Sequence, residues 1–123
     1  MKALTIWQPW ASLIMAGAKP WEWRSWRAPR WGIGQRIVVH AGVRRPRAGE
    51  IQDVLDMIAD GDCSLIAEIA GPLLEQADAG RMLLGCCLGT AILGEPIAAD
   101  TWARQHMAPG YDSDRIDHHQ WAW

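Results

Sequence analysis

The chain has 123 residues, 50% hydrophobic and 21% charged, a composition that fits one globular domain and excludes disordered, collagen-like and low-complexity classes. Its apolar run Leu83–Leu88 is far too short to cross a membrane. The net charge of −2 is unevenly placed: residues 1–47 hold nine basic side chains and one acid, Glu22, a net of +8, and the remainder carries −10. That first stretch suits an anionic partner, unless the two halves neutralise each other across the fold.

Nine Trp accompany one Tyr and no Phe. Either Trp replaces the other aromatics in the core, or some of the indoles face a ligand groove or an interface. The three cysteines, Cys63, Cys86 and Cys87, have no metal-ligand spacing, and an odd count with no signal peptide points to a reducing cytoplasm. They read as packing residues.

In chain order, Ala3-Leu4-Thr5-Ile6-Trp7 alternates as a short first strand. Gln8 then precedes Pro9, which suits the first position of a helix. Trp10, Leu13 and Ile14 recur at helical spacing up to Gly17, a left-handed C-terminal cap. The helix spans about two turns, and its first amides, near Trp10 to Ser12, are placed to hold a phosphate or carboxylate. Trp21 to Trp26 alternates strictly, with Trp21 and Trp23 facing a core and Glu22, Arg24 and Trp26 sharing the opposite face.

A Pro- and Gly-punctuated loop follows, carrying Arg27 and Arg30. Arg36 to Gly42 is the clearest strand, with Ile37 and Val39 on one face and Val38 and His40 on the other. Ile51, Val54, Leu55 and Ile58 mark an amphipathic helix ended by Gly61. Ser64 to Ala77 reads as a helix that Gly71-Pro72 should break or kink. Cys86 to Gly94 reads as a central strand whose glycines permit close backbone approach. Asp100 caps a short helix through His106. A polar loop begins at Pro109-Gly110, and Gln120 to Trp123 opens a last strand.

The residues that carry chemistry gather early. Lys19 and Glu22 are three apart across a helix-to-strand junction. They form either an ion pair that pins the junction or, with a shifted lysine pKa, a general acid–base pair. Arg24 offers a guanidinium for phosphate or base and Trp26 an indole for stacking, together a signature of single-stranded nucleic acid binding. The plainer role for Trp26 is core closure. His40 reads first as a hydrogen-bonded packing residue. His118 and His119, with Asp112, Asp114 and Asp117, read as solvated loop rather than a metal site.

These segments resemble the activating signal cointegrator homology (ASCH) domain. Leu4-Thr5-Ile6-Trp7-Gln8-Pro9-Trp10-Ala11-Ser12-Leu13 is similar to the family's opening Leu-Ser-(Leu/Met)-x-Gln-Pro-Trp-Ala-Ser-Leu. Gly17-Ala18-Lys19-Pro20-Trp21-Glu22-Trp23-Arg24-Ser25-Trp26 is similar to its Gly-x-Lys-x-x-Glu-x-Arg-Ser-Trp. Val38-Val39-His40-Ala41 and Leu84-Gly85-Cys86-Cys87-Leu88-Gly89-Thr90-Ala91 resemble later family strands.

The resemblance implies a single domain over residues 1–123. Its fold would be α+β, mainly β, a small barrel with peripheral helices like the pseudouridine synthase and archaeosine transglycosylase (PUA) domains. It also implies RNA, nucleotide or modified-nucleoside binding in a cleft beside the first helix. The cleft would be lined by Gln8, Trp10, Ser12, Lys19, Glu22, Arg24, Trp26 and His40, with no cofactor and no metal.

Some branches of the family are ribonucleases or amidohydrolases of acetylated cytidine. Here Glu22 occupies the position of the amidohydrolase threonine nucleophile, so that chemistry does not transfer directly. A hydrolase using Lys19 and Glu22 is the alternative to a binder, and a protein-interaction module is a third reading. Family members continue beyond the position of Trp123, so an open C-terminal strand edge, covered in a homodimer, is expected.

Overall fold

The computed structural model describes residues 1–61, 64–106 and 121–123. The Pro109–Gly110 loop, Cys63, and the cluster of Asp112, Asp114, Asp117, His118 and His119 lie outside the described residues. Backbone contacts divide the chain into two compact units, one formed by Met1–Pro20 and Ile37–Ala91, the other by Trp21–Arg36 and Ile92–Trp123.

The first unit contains strand β1 (Ala3–Ile6), helix α1 (Trp10–Met15), nearly all of strand β3 (Arg36–Ala41), helices α2 (Ala48–Ala59) and α3 (Ala67–Asp78), and most of strand β4 (Cys86–Ile92). Its sheet has the order β1-β3-β4. β1 and β3 run parallel, with Ala3 opposite Val38 and Ile6 opposite Ala41. The alternation read from the sequence holds on β3: Ile37, Val39 and Ala41 are buried, whereas Val38 and His40 are half-buried.

Helix α1 works on two sides. Ala11 joins Ile6, Val39 and Ala41 in one apolar cluster, while Leu13 joins Ala18, Ile51, Val54, Ala70, Leu74 and Ala77 in another. Trp10 packs against both. The helix ends as Gly17 predicts. Gly17 has φ +80°, its amide bonds Ile14 O at 3.0 Å, and the Ala18 amide bonds Leu13 O at 2.9 Å. This doubly bonded C-terminal turn satisfies two carbonyls that the helix would otherwise leave open.

Several expectations are corrected here. Helix α3 runs unbroken through Pro72. Ala70, Leu74 and Ala77 are buried around that position, and packing outweighs the roughly 3 kcal/mol that an interior proline costs. β4 lies at the edge of its sheet and β3 is central. Gly89 faces a side chain rather than a backbone: a Cβ there would lie 2.5 Å from the flexible end of Met15, Cε. Cys87 is exposed, so it is no packing residue, since the alternation of β4 turns Cys86 and Leu88 inward instead.

The second unit contains β2 (Trp23–Arg24), a 3₁₀ turn at Arg30–Gly32, β5 (Ile97–Ala98), helix α4 (Ala99–His106) and β6 (Trp121–Ala122). Its sheet has the order β2-β6-β5 and both pairings are antiparallel. The last strand is therefore central, hydrogen-bonded on both sides. The expected open edge at the C-terminus is not there, and the homodimer built on it loses its basis.

The expectation of a mainly β barrel is also corrected. Among the described residues, helices hold more residues than strands, and the strands form two three-stranded sheets with no closed barrel. What remains of the fold expectation is α+β.

No helix among the described residues is long and apolar enough to cross a membrane. Leu74 is fully buried where α1, α2 and α3 meet. Leu74→Ala is expected to lower unfolding free energy by about 2–5 kcal/mol, measured by urea denaturation, and a loss below about 1 kcal/mol would show that this cluster is not a tight core.

Candidate functional site

The residues singled out by sequence divide between the two units. Gln8, Trp10, Ser12, Lys19 and His40 belong to the first, Glu22, Arg24 and Trp26 to the second.

In the first unit Gln8 is completely buried. Its Nε2 donates to Ser12 Oγ at 2.7 Å and to Leu83 O at 2.9 Å, while its Oε1 accepts from the Ser12 amide at 3.0 Å. The Ala11 amide bonds Trp7 O at 3.3 Å. Two of the amides expected to hold an anion, those of Ala11 and Ser12, are thus engaged by the chain itself, and the Gln8 side chain closes the start of α1. The Gln8–Pro9 peptide bond is cis.

Lys19 is 5% exposed. A charged group buried this far must be paired, because an isolated ammonium is too costly to desolvate. Its backbone amide bonds Leu13 O at 3.1 Å, which ties it to the end of α1. His40 Nδ1 lies 3.3 Å from Thr5 Oγ1, as the parallel register of β1 and β3 dictates. That geometry matches the hydrogen-bonded packing role.

In the second unit the three expected residues do come together. Glu22 and Arg24 form an ion pair, with Glu22 Oε1 2.8 Å from Arg24 Nε. The Arg24 guanidinium carbon lies 5.9 Å from the centre of the Trp26 ring, and Trp26 is 46% exposed. The arrangement follows from the sheet. Trp23 pairs with Ala122 and Arg24 with Trp121, and Glu22 exchanges both backbone hydrogen bonds with Trp123. Alternation then places Trp23 and Ala122 in the cluster with Trp102 of α4, and sends Glu22, Arg24, Trp121 and Trp123 to the other face.

Sequence reading missed two indoles beside these residues, half-buried Trp121 and buried Trp123. Trp123 meets Trp26 edge-on with ring centres 5.0 Å apart. Trp121 lies 5.5 Å from the guanidinium carbon of exposed Arg27. The signal was present: Trp121-Ala122-Trp123 has the alternation that puts two indoles on one face.

A third aromatic–cation pair, unforeseen, lies in the first unit. The Arg44 guanidinium carbon sits 4.2 Å from the Trp7 ring centre. Glu50 accepts from Arg44 Nη1 with both oxygens, at 2.9 and 3.1 Å, and from the Arg47 amide at 2.9 Å. That amide bond leads in holding the Glu50 carboxyl below its ordinary 4.5, with the bonds and charge of Arg44 and the charge of Arg47 adding to it and burial opposing it. In the same unit a cavity of about 200 Å³ opens between the start of α2, the end of α3 and the segment before β4, with Arg45 and Asp78 on its wall. Among the described residues no group of three His, Cys, Asp or Glu is placed to hold a metal ion.

Two outcomes test these assignments. Gln8→Ala removes the hydrogen-bond partner of the Ser12 amide and that of the Leu83 carbonyl inside the protein, and should lower stability by about 1–3 kcal/mol; unchanged denaturant unfolding would show that Gln8 does not hold this junction. Because the Glu50 carboxyl is depressed in the folded state, its contribution is present above the unfolded value and is lost as pH falls through the folded one. The stability gap between wild type and Glu50→Gln should therefore shrink from about pH 6 to about pH 3, and a gap that stays constant would mean the carboxylate does not hold this turn.

The family model for the ASCH domain matches residues 4–115 of the chain. A search of curated proteins found no match.

Proposed function

The chain belongs to the ASCH domain family, and on that premise we propose that it acts as one domain that binds single-stranded RNA, or a nucleotide or modified nucleoside, on a basic surface rich in tryptophan. ASCH domains are generally RNA-binding domains of the PUA-like kind. The observation that carries the proposal is the face of the β2–β6 pair opposite Trp102, where exposed Trp26 lies beside the part-buried Glu22–Arg24 ion pair and against buried Trp123.

Each part has a physical role. Trp26, half-exposed and braced by Trp123, offers a stacking surface for an unpaired base. Such stacking contributes about 1–3 kcal/mol per base and is indifferent to base identity. Glu22 fixes the guanidinium of Arg24, so that a planar donor is already oriented when a phosphate or base edge arrives. Glu22 also neutralises Arg24, so the excess positive charge comes from Arg27 and Arg30 in the following loop. A reducing cytoplasmic setting belongs to the same proposal, and Cys86 and Cys87 are free thiols.

Trp26→Ala should weaken binding of a labelled single-stranded RNA by about 5- to 150-fold, and Arg24→Ala should weaken it in the same direction. Both are read by fluorescence anisotropy, with the RNA recovered intact on a denaturing gel. Wild-type affinity in both variants, with unchanged circular dichroism, would remove the proposal. RNA cleaved by wild type but not by Lys19→Ala would replace it with the hydrolase reading.

A further inference from the structure

Trp7 is 56% exposed, yet it is firmly placed. It follows β1 directly, and the backbone at Gly42 passes beneath it so closely that a Cβ there would lie 2.8 Å from Trp7 Cδ1. Arg44 covers the indole at 4.2 Å. Glu50 holds that guanidinium by two hydrogen bonds, and the first turn of α2 holds Glu50 through the Arg47 amide. A chain of contacts from the helix to the ring thus fixes a cation–π pair at the surface.

The fold makes little use of this indole, since a core residue would be buried and Trp7 is not. Its neighbours give it a character. Val43 is 79% exposed, Arg45 and Arg47 are exposed, and Glu50 is the only acid between Arg36 and Gln52. An exposed ring whose cation is locked in place, followed by basic side chains in the same turn, is complementary to a chain that is anionic and presents flat faces. Unpaired bases provide such faces, whereas a duplex hides them within the stack.

The geometry points to a second stacking platform for single-stranded RNA, formed by Trp7 and Arg44 with phosphate contacts from Arg45 and Arg47. This inference rests on the RNA-binding reading above and adds a contact surface in the first unit. Because ring and guanidinium are held before the ligand arrives, little side-chain freedom is lost on binding.

The test uses a labelled 12-nucleotide single-stranded RNA with wild type, Trp7→Ala, Trp7→Phe, an Arg45→Ala/Arg47→Ala pair and Arg24→Ala. Trp7→Ala should weaken binding by about fivefold or more and Trp7→Phe by much less, because a phenyl ring still stacks. The arginine pair should flatten the salt dependence. In parallel, RNA carrying 4-thiouridine should photocrosslink to a wild-type peptide that contains Trp7.

If Trp7→Ala binds as wild type does while Arg24→Ala is weakened, the platform is refuted and the RNA reading stands. If wild type binds no RNA, both fall together. Should Trp7→Ala fail to fold, the crosslink to wild type decides, and its absence from the Trp7 peptide overturns the inference.

Discussion

The side chain of Gln8 is the interaction on which the first unit depends. One buried amide closes the start of α1 through Ser12 and reaches the carbonyl of Leu83, just before β4. A buried amide must find partners for its polar atoms, and here those partners come from two separate parts of the chain. With α1 fixed at its start by Gln8 and at its end by Gly17, the helix can pack on the sheet through Ala11 and on α2 and α3 through Leu13. Lys19 follows directly, bonded through its backbone to Leu13.

The second unit is organised by indoles instead. Trp23 and Trp102 meet edge-to-face at 4.8 Å, and His106 stacks on Trp102 at 4.7 Å. Aromatic pairs in such arrangements contribute about 0.5–1.5 kcal/mol beyond the area they bury. They anchor one face of a sheet whose strands are only two residues long. The other face is thereby free to carry Glu22, Arg24 and Trp121. Packing on one side of these strands and the proposed recognition surface on the other follow from the same alternation.

Much of this was legible in the sequence because it is local. The alternation of Trp21 to Trp26 correctly sets Glu22, Arg24 and Trp26 apart from Trp23, and the left-handed turn at Gly17 is where it should be. What was not legible is long-range. That β6 would insert between β2 and β5, closing the edge expected to be open, depends on pairings that no local pattern encodes. Proline propensity misplaced a break in α3, because burial of Leu74 and its neighbours outweighs it. Gln8 was read as a ligand contact from its place beside the helix, and its bond to Leu83, 75 residues on, is not written in any local pattern. The Trp7–Arg44 pair was invisible for the same reason: it joins residues far apart in sequence.

The central claim is that this domain holds single-stranded RNA by stacking and by charge. It is tested most directly by the affinity of the wild-type protein for one labelled single strand across a series of salt concentrations. The account predicts measurable binding at low salt, with log K falling linearly against log salt at a slope of about −1.4 to −2.8, as for two to four neutralised phosphates. It also predicts that a duplex of the same sequence binds more weakly. No binding at low salt, or duplex and single strand bound alike, would contradict it.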